Sequence, residues 1–87
     1  MHVIVVYDTA AKRNPKILRT CRKYLHRVQR SVFEGQLTEA QLRRFKSAVA
    51  EVLDLGYDNV LVYAFPPGTT PIRHEWGATE PAPTDIL

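Results

Sequence analysis

The first clear pattern along the chain is a run of apolar, mostly β-branched residues over Val3–Tyr7, which ends at Asp8. A continuous apolar run of this length predicts a central strand that is covered on both faces. Asn14 and Pro15 then predict a helix start, with Asn14 as the N-cap and Pro15 at the first helical position. Apolar residues follow at helical spacing, and basic residues occupy the other faces of this helix. The apolar positions are Ile17, Leu18, Cys21 and Leu25, with Tyr24 at the margin of the stripe.

The middle of the chain predicts extended backbone. Residues 27–37 include Val32 and Phe33 and contain no proline. Ten residues of strand at roughly 3.3 Å each would span about 33 Å, which is long for so small a domain. We therefore expect a bend or a division near Ser31 or Gly35, which would give two short strands.

A second helix and a further strand complete the regular part of the pattern. Thr38–Gln41 has the capping-box sequence T-x-x-Q, and apolar residues continue at helical spacing until Gly56 closes the helix. Val60–Phe65 is another strand-like run, rich in Val and Tyr. The order β, α, extended pair, α, β matches the ferredoxin-like βαββαβ plan. This is an α+β fold with an antiparallel sheet and both helices on one face.

The C-terminal region predicts one more strand and then a tail. Residues 70–77 place Ile72 and Trp76 on the same face of a short strand that begins at a proline typical of sheet edges. We expect one ferredoxin-like domain over residues 1–77, in which this additional C-terminal strand pairs with the sheet of a second protomer. Residues 78–87 are proline-rich and are expected to form a flexible tail.

Length and composition favour a small globular protein that forms a homodimer. Of the 87 residues, 45% are hydrophobic and 24% are charged, which argues against disordered and collagen-like classes. A chain of this size buries only about 60–65% of its unfolded surface, so a second subunit would add stability. The single cysteine, Cys21, excludes an internal disulfide. The apolar run at residues 3–7 is too short for a signal peptide or a membrane helix, so we expect a cytoplasmic protein with no membrane partner.

Charge is distributed asymmetrically along the chain. Residues 1–46 carry eleven Lys or Arg against three carboxylates, whereas residues 47–87 carry one basic residue against six carboxylates. Between Asp8 and Glu34 there are eight basic residues and no acidic one. This asymmetry indicates a polyanionic partner, most simply RNA or DNA, because neutralised phosphates release counterions. A solvated helix face is the alternative interpretation.

Asp8 is the strongest candidate for catalytic chemistry, because it directly follows a buried strand that would hold its carboxylate rigidly. Mg²⁺ takes one or two carboxylates together with waters and phosphate oxygens, and a two-fold axis would supply a pair of Asp8 side chains. A bound Mg²⁺ or Mn²⁺ would lower the pKa of a water molecule and offset the charge on the scissile phosphate. The alternative is that Asp8 only caps a turn through the local backbone.

Basic residues near Asp8 are the candidates for nucleic-acid binding, and the N-terminal amides of the first helix would assist them. These candidates are Lys12, Arg13, Lys16, Arg27 and Arg30. Arg27 and Arg30 lie on opposite faces of an extended strand, so they can contact one ligand only where the strand bends. Tyr7 points to the opposite face of the strand from Asp8, so core packing is favoured over a catalytic role. Phe33 could stack on a base, but core packing is again the favoured interpretation.

Three local patterns together resemble the CRISPR-associated protein 2 family of small metal-dependent nucleases and spacer-adaptation subunits. The patterns are V-I-V-V-Y-D at residues 3–8, K-R-N at residues 12–14 and R-V-Q-R-S-V-F-E-G at residues 27–35. The resemblance covers about residues 1–65. It implies a ferredoxin-like homodimer with a divalent-metal site, which captures new spacers together with the CRISPR integrase subunit.

The resemblance also implies roles for particular residues. The family's metal aspartate corresponds to Asp8, and the other matching positions are Tyr7, Arg13, Arg27 and Phe33. The loop after the aspartate is often acidic or serine-rich in relatives but reads T-A-A here, so no second loop carboxylate can assist Asp8. We expect a Mg²⁺-dependent endonuclease acting on RNA or DNA. The alternatives are a non-catalytic dimeric DNA-binding scaffold of the integrase complex and a toxin-like ribonuclease on the same fold.

Overall fold

The protein is described by a computed structural model that covers residues 1–78. Within these residues the strands are β1 (His2–Asp8), β2 (His26–Gln29), β3 (Val32–Gln36) and β4 (Asn59–Phe65), and the helices are α1 (Asn14–Arg22) and α2 (Glu39–Val52). The strands form one sheet in the order β2-β3-β1-β4. All three pairings are antiparallel. This element order and topology confirm the predicted ferredoxin-like α+β fold.

The hydrophobic core lies between both helices and one face of the sheet. Alternate β1 residues Val3, Val5 and Tyr7 are buried in it together with Phe33 of β3. From the helices, the core receives Ile17, Cys21, Phe45 and Val49. The intervening β1 residues point to the opposite face, which we call the helix-free face. Within one chain the helices cover β1 on one face only, so the expectation that it is covered on both faces is not met.

The first helix begins before the position that the sequence predicts. A 3-10 turn over Ala11–Arg13 runs directly into α1, because the amides of Arg13 and Asn14 both donate to the Ala10 carbonyl, at 2.9 and 3.2 Å. Asn14 therefore has helical torsion angles and Arg13 is the N-cap. The prediction that Asn14 caps the helix is wrong. Its side chain instead accepts a hydrogen bond from the Thr9 hydroxyl.

The extended middle region is divided into two strands, as predicted. Arg30 and Ser31 form the turn between β2 and β3, and the β2 pairing contains a bulge between Arg27 and Gln29. Gly35, the other position where a bend or division was expected, lies within β3. A glycine is needed there because a Cβ would lie 3.1 Å from the Leu25 side chain. Leu25, which the spacing assigned to α1, lies in the turn after the helix and is buried. Gly35 thus allows this turn to pack closely against β3.

The predicted start of the second helix is confirmed, but its predicted end is wrong. The Thr38 hydroxyl accepts from the Gln41 amide at 3.1 Å, and the Gln41 side chain accepts from the Thr38 amide at 2.8 Å, which completes a capping box. The helix ends at Val52 rather than at Gly56. It ends early because the chain then enters a turn in which the Asp54 carbonyl accepts two following amides.

After β4 the chain continues through turns and irregular backbone, and residues 66–78 contain no strand. Ile72 and Trp76 are 85% and 89% exposed, while Arg73 forms an ion pair with Glu34 of β3. The pairing of residues 70–77 with a second protomer stays a prediction. The predicted tail lies outside the described residues from position 79 onward. Neither helix within residues 1–78 has the length and apolar composition needed to cross a membrane.

Candidate metal and nucleic-acid site

Asp8 is exposed at the end of the central strand β1, where it pairs in register with Asn59 of β4. Within residues 1–78 its carboxylate makes no hydrogen bond and no ion pair. In particular, it does not cap the turn that follows, so the structure gives no support to the turn-capping interpretation. A carboxylate that is held on a strand and has no partner in the described chain is available to bind a cation.

The residue before Asp8 is fixed by the core. The Tyr7 ring stacks on the ring of Phe33 with 6.2 Å between centroids, and the Tyr7 amide donates to the Ser31 carbonyl at 3.1 Å. Burial raises the pKa of the Tyr7 hydroxyl, and the positive charge of Arg27 partly opposes this shift. Phe33 is fully buried and cannot stack on a base. The structure thus confirms the core interpretation for both aromatic residues.

The loop after Asp8 is fixed by Asp58, which sequence reasoning did not identify. The side chain of Asp58 is completely buried, and its carboxylate accepts the Ala10 amide at 2.9 Å and the Asp54 amide at 2.9 Å. Arg13 donates to both carboxylate oxygens, from Nε at 2.5 Å and from Nη2 at 3.0 Å. These hydrogen bonds, that of Arg13 foremost, hold the pKa of Asp58 well below its usual range and raise the pKa of Arg13.

The Asp58 contacts change the interpretation of Arg13. Sequence reasoning placed Arg13 among the phosphate-binding residues, whereas in the structure two of its nitrogens contact Asp58 and its side chain is only 17% exposed. Its guanidinium also lies 5.8 Å from the centroid of the Tyr57 ring. Arg13 thus acts within the protein. The local signal for this arrangement is weak, because an aspartate that precedes a strand does not show that its partner lies 45 positions earlier.

The other predicted basic residues divide into two groups. Lys12 and Lys16 are exposed at the start of the first helix, and Arg30 is exposed in the turn beside Tyr7. These three residues lie toward the end of the sheet that carries Asp8. Arg27 is half-buried on β2 and pairs in register with Phe33, so it is directed toward the helix-covered side of the sheet. The bulge after Arg27 does not bring it onto the face of Asp8.

The donor chemistry of Asp8 suits a divalent cation, but residues 1–78 supply only part of a site. Within residues 1–78 there is no group of three or more His, Cys, Asp or Glu that could hold a metal ion. Mg²⁺ and Mn²⁺ prefer oxygen ligands, and Mg²⁺ commonly combines one or two carboxylates with waters and phosphate oxygens. Asp8 therefore fits one ligand of such a site, and residues 1–78 place no complete set of protein ligands beside it.

Comparison with known proteins shows the family of the chain. A sequence model of the family CRISPR associated protein Cas2 matches residues 1–69. The CRISPR-associated endoribonuclease Cas2 of Frankia alni is 62% identical over 63 residues, which is 72% of each chain. That of Thermococcus kodakarensis is 36% identical over 87 residues, which is 100% of each chain. A crystal structure of Cas2 aligns with a TM-score of 0.82 at 35% identity, covering 92% of this chain and 90% of that one. The chain belongs to the CRISPR associated protein Cas2 family.

Proposed function

We propose that the protein is a CRISPR-associated endonuclease that hydrolyses phosphodiester bonds with Mg²⁺ or Mn²⁺ and acts with the CRISPR integrase subunit in spacer acquisition and antiviral defence. The observation that carries the proposal is the exposed Asp8 carboxylate, which has no partner within residues 1–78. The relatives from Frankia alni and Thermococcus kodakarensis are named endoribonucleases, which supports nuclease activity.

In this proposal the residues of the chain divide the work between metal and substrate. The Asp8 carboxylates of two protomers hold the cation. When bound, the cation lowers the pKa of a water molecule and offsets charge on the phosphate. Lys12, Lys16 and Arg30 bind phosphates on either side of the scissile bond. The N-terminal amides of α1 add to the positive potential there.

The helix-free face supports a homodimer that would bring the two Asp8 residues together. Ile4, Val6 and Asp8 share this face, and their register partners on β4 include Tyr63 and Leu61. Leu61 and Tyr63 are 47% and 53% exposed in a single chain. Apolar surface of this kind is stabilised when it is buried against another copy. Because Asp8 lies on the same face, pairing two such faces places one Asp8 from each protomer at the interface.

The open edge of β4 supports the predicted role of residues 70–77 in this dimer. Within residues 1–78, β4 is the last strand of the sheet, so one side of its backbone is available to accept a further strand. Between β4 and α2 lies a groove of about 370 Å³. Its apolar lining includes Leu42, Phe45, Val49, Leu53, Val60 and Val62. In the proposed dimer, the segment of the second protomer pairs with β4 and its apolar residues cover this groove.

The proposal is tested by comparing wild type, Asp8→Asn and Glu51→Gln on single-stranded RNA and on duplex DNA, with and without Mg²⁺. Asp8→Asn keeps the shape of the side chain but removes the charge that binds the cation. We expect it to lose metal-dependent cleavage while its circular dichroism is unchanged. Glu51 is an exposed carboxylate on α2 and serves as the matched control, with cleavage at the wild-type level. Metal-dependent cleavage by Asp8→Asn at the wild-type rate would contradict the proposal.

A non-catalytic DNA-binding scaffold is the second candidate function, favoured by the lack of a complete metal-binding cluster within residues 1–78. The same experiment separates the two functions. A scaffold would bind duplex DNA with steep salt dependence, because phosphate contacts release counterions, yet would cleave neither substrate. Metal-dependent cleavage that Asp8→Asn abolishes excludes this candidate.

A further inference from the structure

We infer that Asp58, through its ion pair with Arg13, is a positioning residue for Asp8. The pair fixes the loop over residues 9–13 and thereby holds the Asp8 carboxylate in place for cation binding. This inference rests on the proposed function, because it assigns a role in the same site. Neither Asp58 nor Arg13 contacts the Asp8 side chain within the described residues, so the effect passes through the backbone.

The Asp58 carboxylate is saturated with hydrogen bonds. Oδ1 accepts from the Ala10 amide at 2.9 Å and from Arg13 Nη2 at 3.0 Å. Oδ2 accepts from Arg13 Nε at 2.5 Å and from the Asp54 amide at 2.9 Å. With four donors on two oxygens and no exposure to solvent, the carboxylate has one well-defined position.

Two of the donor residues, Ala10 and Arg13, lie in the connection between β1 and α1. Ala10 is two residues after Asp8, and Arg13 is the N-cap of α1, so Asp58 holds both ends of the connection between β1 and α1. Asp58 itself immediately precedes Asn59, the register partner of Asp8. The loop that leaves Asp8 is thus anchored to the start of the neighbouring strand.

The chain is also anchored on the other side of Asp8, by the core. The Tyr7 amide is bonded to the Ser31 carbonyl, and the Tyr7 ring is stacked on Phe33 in the core. Asp8 is therefore bracketed, by the core at the residue before it and by Asp58 at the loop after it. Removing the Asp58 contacts would release one of the two anchors and leave the other.

The Asp58–Arg13 ion pair is better suited to positioning than to stabilising the fold. A buried ion pair commonly adds little net stability compared with apolar side chains of similar volume, because removing charges from water is costly. Asp58 accepts two backbone amides, that of Ala10, which lies two residues after Asp8, and that of Asp54 in the turn before β4, so the pair joins the loop after Asp8 to the start of the neighbouring strand. That arrangement suits a role in placing a reactive group, since small displacements of such groups have large effects on rate.

The test uses the full-length protein with Asp58→Asn, Arg13→Lys and the Glu51→Gln control. Mn²⁺ affinity is measured by titration calorimetry, and kcat and KM are measured for the substrate that wild type cleaves. We expect Asp58→Asn to lower both Mn²⁺ affinity and kcat by roughly tenfold to a hundredfold, with little change in KM. Arg13→Lys, which can contact only one carboxylate oxygen well, should give a smaller loss of the same kind. Glu51→Gln should match wild type.

Hydrogen exchange adds a readout that does not depend on catalysis. In Asp58→Asn and Arg13→Lys, the Ala10 amide should exchange faster than in wild type, whereas core amides such as that of Val5 should not. An Asp58→Asn variant with wild-type Mn²⁺ affinity and kcat would overturn the inference. So would a loss confined to KM, since it would make Arg13 a phosphate contact. Should Asp58→Asn not fold, Arg13→Lys decides the question by the same measurements.

The outcomes also distinguish this inference from the proposed function. Wild type that neither binds Mn²⁺ nor cleaves RNA or DNA overturns the proposed function and, with it, the inference. Wild type that binds and cleaves, beside an Asp58→Asn variant with the same constants, overturns the inference alone.

Discussion

At the scale of single residues, the buried carboxylate of Asp58 links stability to pH. Its hydrogen bonds from Arg13 and two backbone amides favour the ionised form, so the pKa of Asp58 in the folded protein lies well below its usual range. In the unfolded chain the pKa returns to about 4. The ionised group therefore contributes stability that is fully present above about pH 4, and this contribution is lost as the pH falls toward the folded-state value.

We therefore expect acid to destabilise wild type more steeply than Asp58→Asn. Below about pH 4 the free energy of unfolding of wild type should fall with a slope that the variant lacks, because asparagine has no proton to gain. At pH 7 the variant should be the less stable of the two. Urea unfolding at a series of pH values between 7 and 3 measures both effects, with Glu51→Gln as the control for an exposed carboxylate. Parallel pH profiles for wild type and Asp58→Asn would contradict the assignment.

Sequence reasoning at the residue scale succeeded where the neighbours along the chain decide the environment. Alternation along β1 was sufficient to place Tyr7 in the core, and helical spacing placed Cys21 on the apolar face of α1. Burial also raises the pKa of the Cys21 thiol to about 12. Arg13 was assigned to phosphate binding because its charge is visible in the sequence, whereas its contact with Asp58 depends on how β4 packs beside β1. Such a contact is set by tertiary structure and has no local pattern.

At the scale of elements, features set by neighbouring residues were again predicted correctly, and features set by tertiary contacts were not. The start of α2 was predicted correctly, because all the donors and acceptors of its capping box lie within four consecutive residues, Thr38–Gln41. The start of α1 was misplaced, because the 3-10 turn before it lies in a loop anchored through the Ala10 amide to Asp58, which lies 48 positions later. The close contact of Gly35 with Leu25 likewise joins two elements and explains the glycine only once both are in place.

We expect Thr38→Ala to lower the free energy of unfolding by about 1 kcal/mol, because it leaves the Gln41 amide without its capping oxygen. Thr38→Ser keeps the hydroxyl and should recover most of this loss. Ser47→Ala, an exposed change in the interior of the same helix, should stay within about 0.5 kcal/mol of wild type. Urea unfolding of the three variants measures these differences. Equal losses in Thr38→Ala and Thr38→Ser would assign the effect to the lost methyl group instead of the cap.

At the scale of the whole molecule, the sheet has one face that both helices pack against and one that they leave uncovered. The helices cover the first, while Leu61 and Tyr63 remain about half exposed on the helix-free face. Ile72 and Trp76, which follow β4 in the chain, are also exposed. Within residues 1–78 no strand pairs with the outer edge of β4. The fold of one chain could be predicted from local periodicity, whereas the homodimer expected from the sequence stays a prediction, since it depends on surfaces that meet only in the assembly. The proposed dimer accounts for all of these surfaces together.

Trp76 offers a direct test of that dimer, because it is the only tryptophan in the chain and is 89% exposed in a single copy. Pairing of residues 70–77 with the sheet of a second protomer would remove its ring from water. We therefore expect Trp76 emission to shift to shorter wavelength as protein concentration rises, over the same range in which sedimentation shows the mass doubling. Trp76→Phe should still dimerise, which makes it the control for the tryptophan signal.

Removing residues 69–87 separates the dimer from its consequences for catalysis. The truncated chain keeps the whole described sheet and both helices, so it should fold, but it lacks the segment that would cover the edge of β4. We expect it to dimerise more weakly and, because the paired Asp8 site then forms less often, to lose metal-dependent cleavage in proportion. Raising the protein concentration should restore both together. A truncated chain that dimerises and cleaves like wild type would show that residues 70–77 do not hold the dimer. A full-length chain that stays monomeric at high micromolar concentration would rule out the shared Asp8 site itself.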